Sequence, residues 1–453
     1  MTTQNNTTNP HFLHRELFIY AIIASLIALF LTTTANAQDK VLTLNEAVDL
    51  GIKNSKVLKL SQSKIDQAIS QYEQAKDESL PTGKVNFGYN RAQIPANKLV
   101  LGEETLRLPA HADAYLGTVS LSQTIFSGGK FKYARQSTEL LAQVSRLDAV
   151  NDQDQIVYDV INSYYNLYKV LQSKKVVEQN LATIDQQIKQ AKRFFDQGLV
   201  TKNDVLQFQL QRANVELNGI DLESNRKIVN YNLNILLGLP ETTQLKIDQL
   251  NDDDKPVGIL AGYIDTALVN RPELRQTDLR AKVADINIKN VKANLSPTLA
   301  AAASAYYIDA NANPLPKSGN FITPISVGLT ASWNFGALWT NKNKETEAKI
   351  EREQVDISRG ITADRIKNEV NQNYQNYQAA IDKIKLLQTS IAQATENNKI
   401  LESKYKSNIS SAVDRADAQT LLYQAEINLE LAKADAGLAY YTLLKSTGKI
   451  NKQ

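Results

Sequence analysis

Cysteine and histidine carry most nucleophilic and metal chemistry in proteins, and this chain of 453 residues has no cysteine and three histidines, His11, His14 and His111. The first two lie in an N-terminal targeting segment, so the mature chain keeps only His111. Thiolate ligands are thereby excluded, and a single histidine argues strongly against zinc chemistry and against Ser-His or Cys-His catalysis. Disulfides and a cysteine-borne lipid anchor are excluded too. No phosphate-binding glycine loop of the GxxxxGK[ST] or GxGxxG kind occurs. The acidic run Asp252-Asp253-Asp254 reads as a solvated loop. The aromatic pairs Tyr165/Tyr168 and Tyr374/Tyr377 read as helix packing rather than a substrate site. Net charge is only +3, which gives no nucleic-acid surface. No enzyme, cofactor or metal is expected.

The elements must therefore carry the function. Arg15 precedes an apolar run, Leu17–Leu31, and Ala35-Asn36-Ala37 follows. This is the order of a secretory signal, with cleavage before Gln38. The run is short for a transmembrane helix, and no other apolar run approaches 18 residues. Any membrane crossing by the mature chain must use strands.

The mature chain says the same thing twice. Ala47–Pro81 matches Tyr263–Pro297 at a shift of 216: Asn54 meets Asn270, Leu58 meets Leu274, Lys76 meets Lys292 and Pro81-Thr82 meets Pro297-Thr298. The register then holds at 208 to 210. Val119, Leu121 and Gly128 meet Val327, Leu329 and Gly336; Tyr165 and Tyr168 meet Tyr374 and Tyr377; Asp204 meets Asp414, and Gly238 meets Gly448. The matches fall on turn residues as well as periodic positions, so they mark a duplicated unit.

Repeat 1 spans 38–239, a connector 240–262, and repeat 2 263–453. In repeat 1 the pattern predicts helix over Leu44–Leu80 with a turn near Asn54-Ser55, strands at 83–93 and 115–126, a long helix at 130–197 and a helix at 203–238. Ala96–His111 reads as a loop, and Asn203 or Asp204 as a helix cap. Repeat 2 follows the same order: a helix over Ile264–Leu295 restarted at Arg271-Pro272, strands at 298–309 and 322–335, a long helix at 341–406 and a last helix at 411–447. The last strand alternates most cleanly. Ile325, Val327, Leu329, Ala331 and Trp333 face one way; Ser326, Gly328, Thr330, Ser332 and Asn334 face the other. Val119, Leu121 and Ile125 oppose serines and threonines in the same fashion.

Four such strands are each near the length of a tilted outer-membrane strand. Four cannot close a barrel, and an open sheet in lipid leaves unpaired edges. Several copies must pool their strands if these cross a membrane. The small polar face then suits a water-filled lumen, the apolar face (Val119, Leu121, Ile325, Val327, Leu329) suits lipid, and Trp333 an interfacial anchor. The alternative is a soluble sheet whose apolar face packs on the helices. Two shorter helices stacked end to end match one long helix of ~100 Å, as a wall of uniform height requires.

These residues resemble the TolC family of outer-membrane channel proteins. The likeness runs from Leu44 to Gly448. It rests on the helix starts N-S-x-V-L and N-R-P-E-L, on LSQTIFSGGK at Leu121–Lys130, on RFFDQGLVTKNDVLQ at Arg193–Gln207 and on KYKSNISSAVDRADAQ at Lys404–Gln419. The resemblance implies an α+β membrane protein: a homotrimer with a 12-stranded barrel in outer-membrane lipid and long helical hairpins forming a periplasmic α-barrel. It implies tip turns at Gly198 and Asn408 and a constriction lined by Asp414, Asp417 and Asp204. Its implied function is a passive exit duct of a tripartite efflux pump, with a periplasmic adaptor and an inner-membrane transporter as partners. Type I protein secretion is the alternative, and a soluble periplasmic coiled-coil scaffold a further one. Departures are Asn408 where glycine is usual, Ser410 where some members carry a basic residue, and a short C-terminal tail, which leaves a small collar near Pro240–Gly262. Arg415 reads as a solvated arginine, with a substitute tip contact as the other option.

Overall fold

In the computed structural model the described residues are 40–93, 95, 98–107, 111–248, 258–312 and 322–451. The signal, with Leu17–Leu31 and the Gln38 cleavage point, lies outside them, as does Asp252-Asp253-Asp254. The elements run β1 Lys40–Leu42, α1 Leu44–Asn54, α2 Lys56–Asp77, β2 Thr82–Gln93, β3 Lys98–Leu101, β4 Glu104–Arg107, β5 His111–Phe126, α3 Lys130–Asp196 and α4 Lys202–Leu237. After β6 Leu245–Ile247 come α5 Leu260–Asn270, α6 Pro272–Lys292, β7 Thr298–Ala312, β8 Ile325–Ser332, α7 Ala337–Lys406 and α8 Ala412–Ser446. No helix among the described residues is long and apolar enough to cross a membrane.

The chain falls into two compact units. One comprises the described residues up to Asn54, with Val160–Asp253 and Leu386–Ala434. Here β1 and β6 pair in parallel, and buried Tyr164 donates to the Leu42 carbonyl at 2.9 Å. The Asn54 amide ends α1 and donates to the Leu237 carbonyl at 2.7 Å. Gly238 (φ 66°) must be glycine there, because an added Cβ would sit 2.7 Å from Asn54 Cβ. Tyr165 is fully buried, in keeping with a packing role.

The second unit comprises Ser55–Asp159, Asp254–Lys385 and Asp435–Gln453. It repeats the same joint: Gly448 (φ 71°) lies against the Asn270–Arg271 backbone. Its core packs Ala267, Leu274, Ile366, Val370, Tyr377 and Leu443, with Tyr374 alongside. Tyr374 and Tyr377 stack on Tyr263 and Tyr440 at 5.9 and 5.6 Å. Both pack in the core.

Arg271 is the buried charge of this unit, 8% exposed. Its guanidinium forks onto Glu273 and onto Glu369 (3.1 and 3.2 Å), and it donates to the Ser446 carbonyl at 3.2 Å. One arginine thus ties the start of α6 to α7 and to the end of α8. Burial pushes the Glu273 carboxyl up, but the Arg271 hydrogen bonds and charge outweigh it and hold it below the usual range.

The four-stranded sheet also belongs to this unit, in the antiparallel order β2-β5-β7-β8. Val85, Val119, Ala305 and Ile325 are register partners across all four strands. One step along, Gly83, Leu121, Ala303 and Val327 align. The alternate rows are polar: Lys84, Ser120, Ser304 and Ser326. Val327 is 82% exposed and Leu329 71%; Val119, Leu121 and Ile325 are exposed too. Helices therefore do not cover the apolar face within the chain, contrary to the soluble-sheet alternative.

Several sequence expectations need correction. The strand expected at 322–335 pairs only over Ile325–Ser332, with one bridge, Ile308 to Ile322, before it. Pro324 has no N–H to give the ladder. Trp333 is thus not a strand residue: it follows β8, donates from Nε1 to the Leu295 carbonyl at 3.1 Å and stacks edge-on to Phe335. The helix after it starts at Ala337, because Asn334–Gly336 makes the turn. Ile125 falls at a bulge between Thr124 and Phe126, so it leaves the alternation. The loop at Ala96–His111 holds a hairpin, β3–β4, turned at Gly102.

Replacing Arg271 with Ala leaves two carboxylates facing each other. The expected cost is about 3 kcal/mol in the unfolding free energy at neutral pH, the low end for a broken buried pair because Glu369 is partly exposed. A depressed carboxylate stabilises above its unfolded pKa and loses that contribution as pH falls through the folded value. The wild-type advantage should therefore shrink below about pH 4.5. Denaturant melts at pH 7 and pH 4 that show the same gap, or none, would contradict the ion-pair assignment.

Candidate pore tip

The turns joining α3 to α4 and α7 to α8 are built alike. α3 ends with the Leu199 N–H on the Phe194 carbonyl and the Gly198 N–H on the Phe195 carbonyl, both 2.9 Å, with Gly198 at φ 70°. α7 ends the same way: Ile409 N–H reaches Lys404 at 2.8 Å, Asn408 N–H reaches Tyr405 at 3.1 Å, and Asn408 has φ 56°. This paired closure satisfies the last carbonyls of each helix. Asn408 is the one non-glycine with positive φ among the described residues, and asparagine tolerates that region at modest cost.

The helices that follow start alike as well. Thr201 caps α4: its backbone N–H donates to Asp204 Oδ2 (2.8 Å), and the Asp204 N–H donates to Thr201 Oγ1 (3.4 Å). Ser411 and Asp414 repeat the exchange at α8, at 3.1 Å in both directions. The cap at α4 is therefore Thr201, not Asn203 or Asp204, and Asp204 and Asp414 are third-position partners. The pattern [ST]-x-x-D at 201–204 and 411–414 is the sequence signal for it. A carboxylate in the first turn also meets the positive end of the helix dipole.

Asp414 and Asp417 are exposed on one face of α8, one turn apart. Asp204 is half-exposed on α4. Among the described residues these acids join no cluster of three or more that could hold a metal.

Arg415 is where the sequence reading fails. It is 4% exposed, not solvated. Its guanidinium donates to the Asn398 side chain and lies 3.9 Å from Glu402, both on α7. It ties α8 to α7 inside the chain, adding a charged contact to the hydrogen bond that Ser410 Oγ donates to the Leu401 carbonyl at 3.5 Å. Burial pushes the guanidinium pKa down, partly offset by Glu402. Below it, Val176, Ile184, Phe208, Tyr405, Ala412 and Tyr423 form the core. Phe208 and Phe194 stack on Tyr405 at 5.7 and 6.0 Å. Amides cross-link the helices: Gln419 donates to Asn180 (2.9 Å), and Gln211 to the Ala416 carbonyl (3.0 Å). These contacts tie the helix ends of one chain together, with Asp414 in its cap exchange and Asp417 both exposed at the surface.

Comparison with known proteins fits this architecture. The family model described as outer membrane efflux protein matches residues 47–239 and 263–449. The outer membrane efflux protein BepC of Brucella suis biovar 1 is 23% identical over 350 residues, covering 76% of this chain and 75% of its own. The probable efflux pump outer membrane protein TtgC of Pseudomonas putida is 22% identical over 433 residues, covering 90% and 85%. Among solved structures, the outer-membrane channel OprN superposes with a TM-score of 0.73 at 16% identity over 90% of each chain. The chain belongs to the outer membrane efflux protein family. It is an efflux protein of the outer membrane.

Proposed function

We propose that three copies of this chain, exported on the Leu17–Leu31 signal and cleaved before Gln38, form one passive duct. Its two repeats meet at the 240–262 connector. The observation that carries this reading is the open four-stranded sheet, with its apolar face exposed and the outer edges of β2 and β8 unpaired by any other strand of the sheet. In hydrocarbon those edges must be paired. Two copies would give eight strands, a barrel whose interior side chains nearly fill. Three give twelve and leave a lumen, lined here by the rows of Lys84, Asn86, Ser120, Ser304, Ser326 and Thr330. The height fits as well. Tyr89 and Tyr115 end the apolar face away from the helices, and Phe126, Trp333 and Phe335 end it beside them. About eleven residues of β5 between Tyr115 and Phe126, tilted, span ~25 Å, the usual apolar band.

The long helices of three chains would continue the lumen as a periplasmic α-barrel. The duct does no chemistry itself. A periplasmic adaptor and an inner-membrane transporter would supply cargo and energy, as the efflux-pump name of the relative TtgC suggests. Small molecules are the expected cargo. At the tip, three-fold symmetry would turn Asp414, Asp417 and Asp204 into rings of carboxylates that select and hold cations.

Two experiments test these assignments. Val327→Arg places a charge on the lipid face and should impair assembly by ~2–4 kcal/mol near the midplane. Thr330→Arg places it in the lumen and should assemble with altered conductance. Equal tolerance at both sites sinks the barrel reading. For the tip, a trivalent cation added from the periplasmic side of a planar bilayer should block the channel. Asp414→Asn with Asp417→Asn should abolish the block and leave assembly intact, since Ser411 still caps α8 through the residue-414 N–H and neither acid lies in the sheet. A block that survives the double change would put the constriction elsewhere.

A further inference from the structure

The face that carries the apolar band does not end abruptly. Moving away from the helices, the paired rows of β2 and β5 read Val85 with Val119, Phe87 with Gly117, Tyr89 with Tyr115, Arg91 with Asp113, and Gln93 with His111. Each step is about 6.6 Å along the strand. The order is aliphatic, aromatic, charged, as at the boundary between acyl chains and headgroups. The tyrosine rings lie 5.0 Å apart. The Tyr89 hydroxyl donates to Asp113 Oδ1 at 2.8 Å, and Arg91 Nε lies 3.8 Å from that same oxygen. Asp113 is 27% exposed and Arg91 60%, so the acid sits inward and the guanidinium outward. At 3.8 Å this is an ion pair longer than a hydrogen bond, and Arg91 also engages the Tyr89 hydroxyl; with 60% of its side chain exposed, the remaining donors of its fork face outward. The exposed His111 lies one row further out, and Lys98 and Arg107 form the first pair of the β3–β4 hairpin beyond it. Asp309, opposite Tyr115 on β7, is half-buried one row deeper.

We propose that this edge is a headgroup site for a phosphorylated glycolipid of the outer leaflet, with Arg91 as its main phosphate donor. The proposal rests on the barrel reading above. The acyl chains would lie against Val85, Phe87 and Val119, continuous with the apolar face. The tyrosine rings would meet the ester level. A planar guanidinium presents two parallel N–H groups to a phosphate, and Asp113 holds it at the surface by its charge. The end distal to the helices is the one that faces outside, which selects an outer-leaflet lipid. The second repeat has Tyr307 at the position that matches Arg91, so each chain has one site and a trimer three.

The test uses the assembled full-length protein, checked first for heat-modifiable mobility as an inserted barrel. Native mass spectrometry then counts bound glycolipid after incubation with bis-phosphorylated lipid A or its dephosphorylated form. Three phosphorylated molecules per assembly are expected, with about tenfold weaker retention of the dephosphorylated form. Arg91→Ala should lose the same factor toward the phosphorylated lipid alone, and Lys84→Ala, on the opposite face, should change nothing. Equal retention of both lipids, or by Arg91→Ala, overturns the site. So does equal retention of phosphatidylglycerol, or displacement by inorganic phosphate at low millimolar concentration, which would place the ligand in solution. Failure to assemble overturns the barrel reading and the site together; assembly without discrimination overturns the site alone.

Discussion

The unpaired backbone along the outer edges of β2 and β8 is the constraint on which the rest depends. In water such edges are tolerable; in hydrocarbon each unmet N–H or C=O costs several kcal/mol. The chain offers four strands with a continuous apolar face that its own helices leave bare. A single copy can satisfy neither the edges nor that face. On the proposed reading, strands of further copies would pair the edges, lipid would cover the apolar face, and the small polar residues of the opposite face would meet water.

The same local joints recur in the two halves of the chain. Gly238 lies against Asn54 as Gly448 lies against Asn270 and Arg271. Thr201 with Asp204 is repeated as Ser411 with Asp414. The repeats diverge where charge is buried: Arg271, clamped between Glu273 and Glu369, stands where the first repeat has Ser55, a helix cap bonded to the Leu58 N–H. The shared joints fix the architecture. The divergent ones let two similar hairpins take different neighbours.

Much of this was legible in the sequence, for physical reasons. Long helices show as stretches without glycine or proline, and Gly198 and Asn408 mark the turns because few residues accept positive φ. The sheet shows through strict alternation at Ile325–Ser332. What escaped depended on context. Pro324 cannot donate to a ladder, so pairing starts only at Ile325; at the other end the partner strand β7 begins at Thr298, opposite Ser332, so Trp333 falls outside β8. The bulge at Ile125 needs the partner strand to be seen. The β3–β4 strands have four residues each, too few for a periodic signal. Arg415 looked solvated because its type is usually so; its burial depends on Asn398 and Glu402, which a linear reading cannot place beside it. Asp414 and Asp417 entered as constriction residues through resemblance, and one chain shows them as exposed acids at a capped helix start.

The most direct measurement is the number of chains in the assembly extracted from the outer membrane. Native mass spectrometry of the detergent-solubilised protein should give three chains, which separate only on heating, with sheet signal retained before heating. A folded monomer, or a stable dimer with the same sheet content, would contradict the account, because neither supplies twelve strands and the edges of β2 and β8 would then be satisfied in some other way.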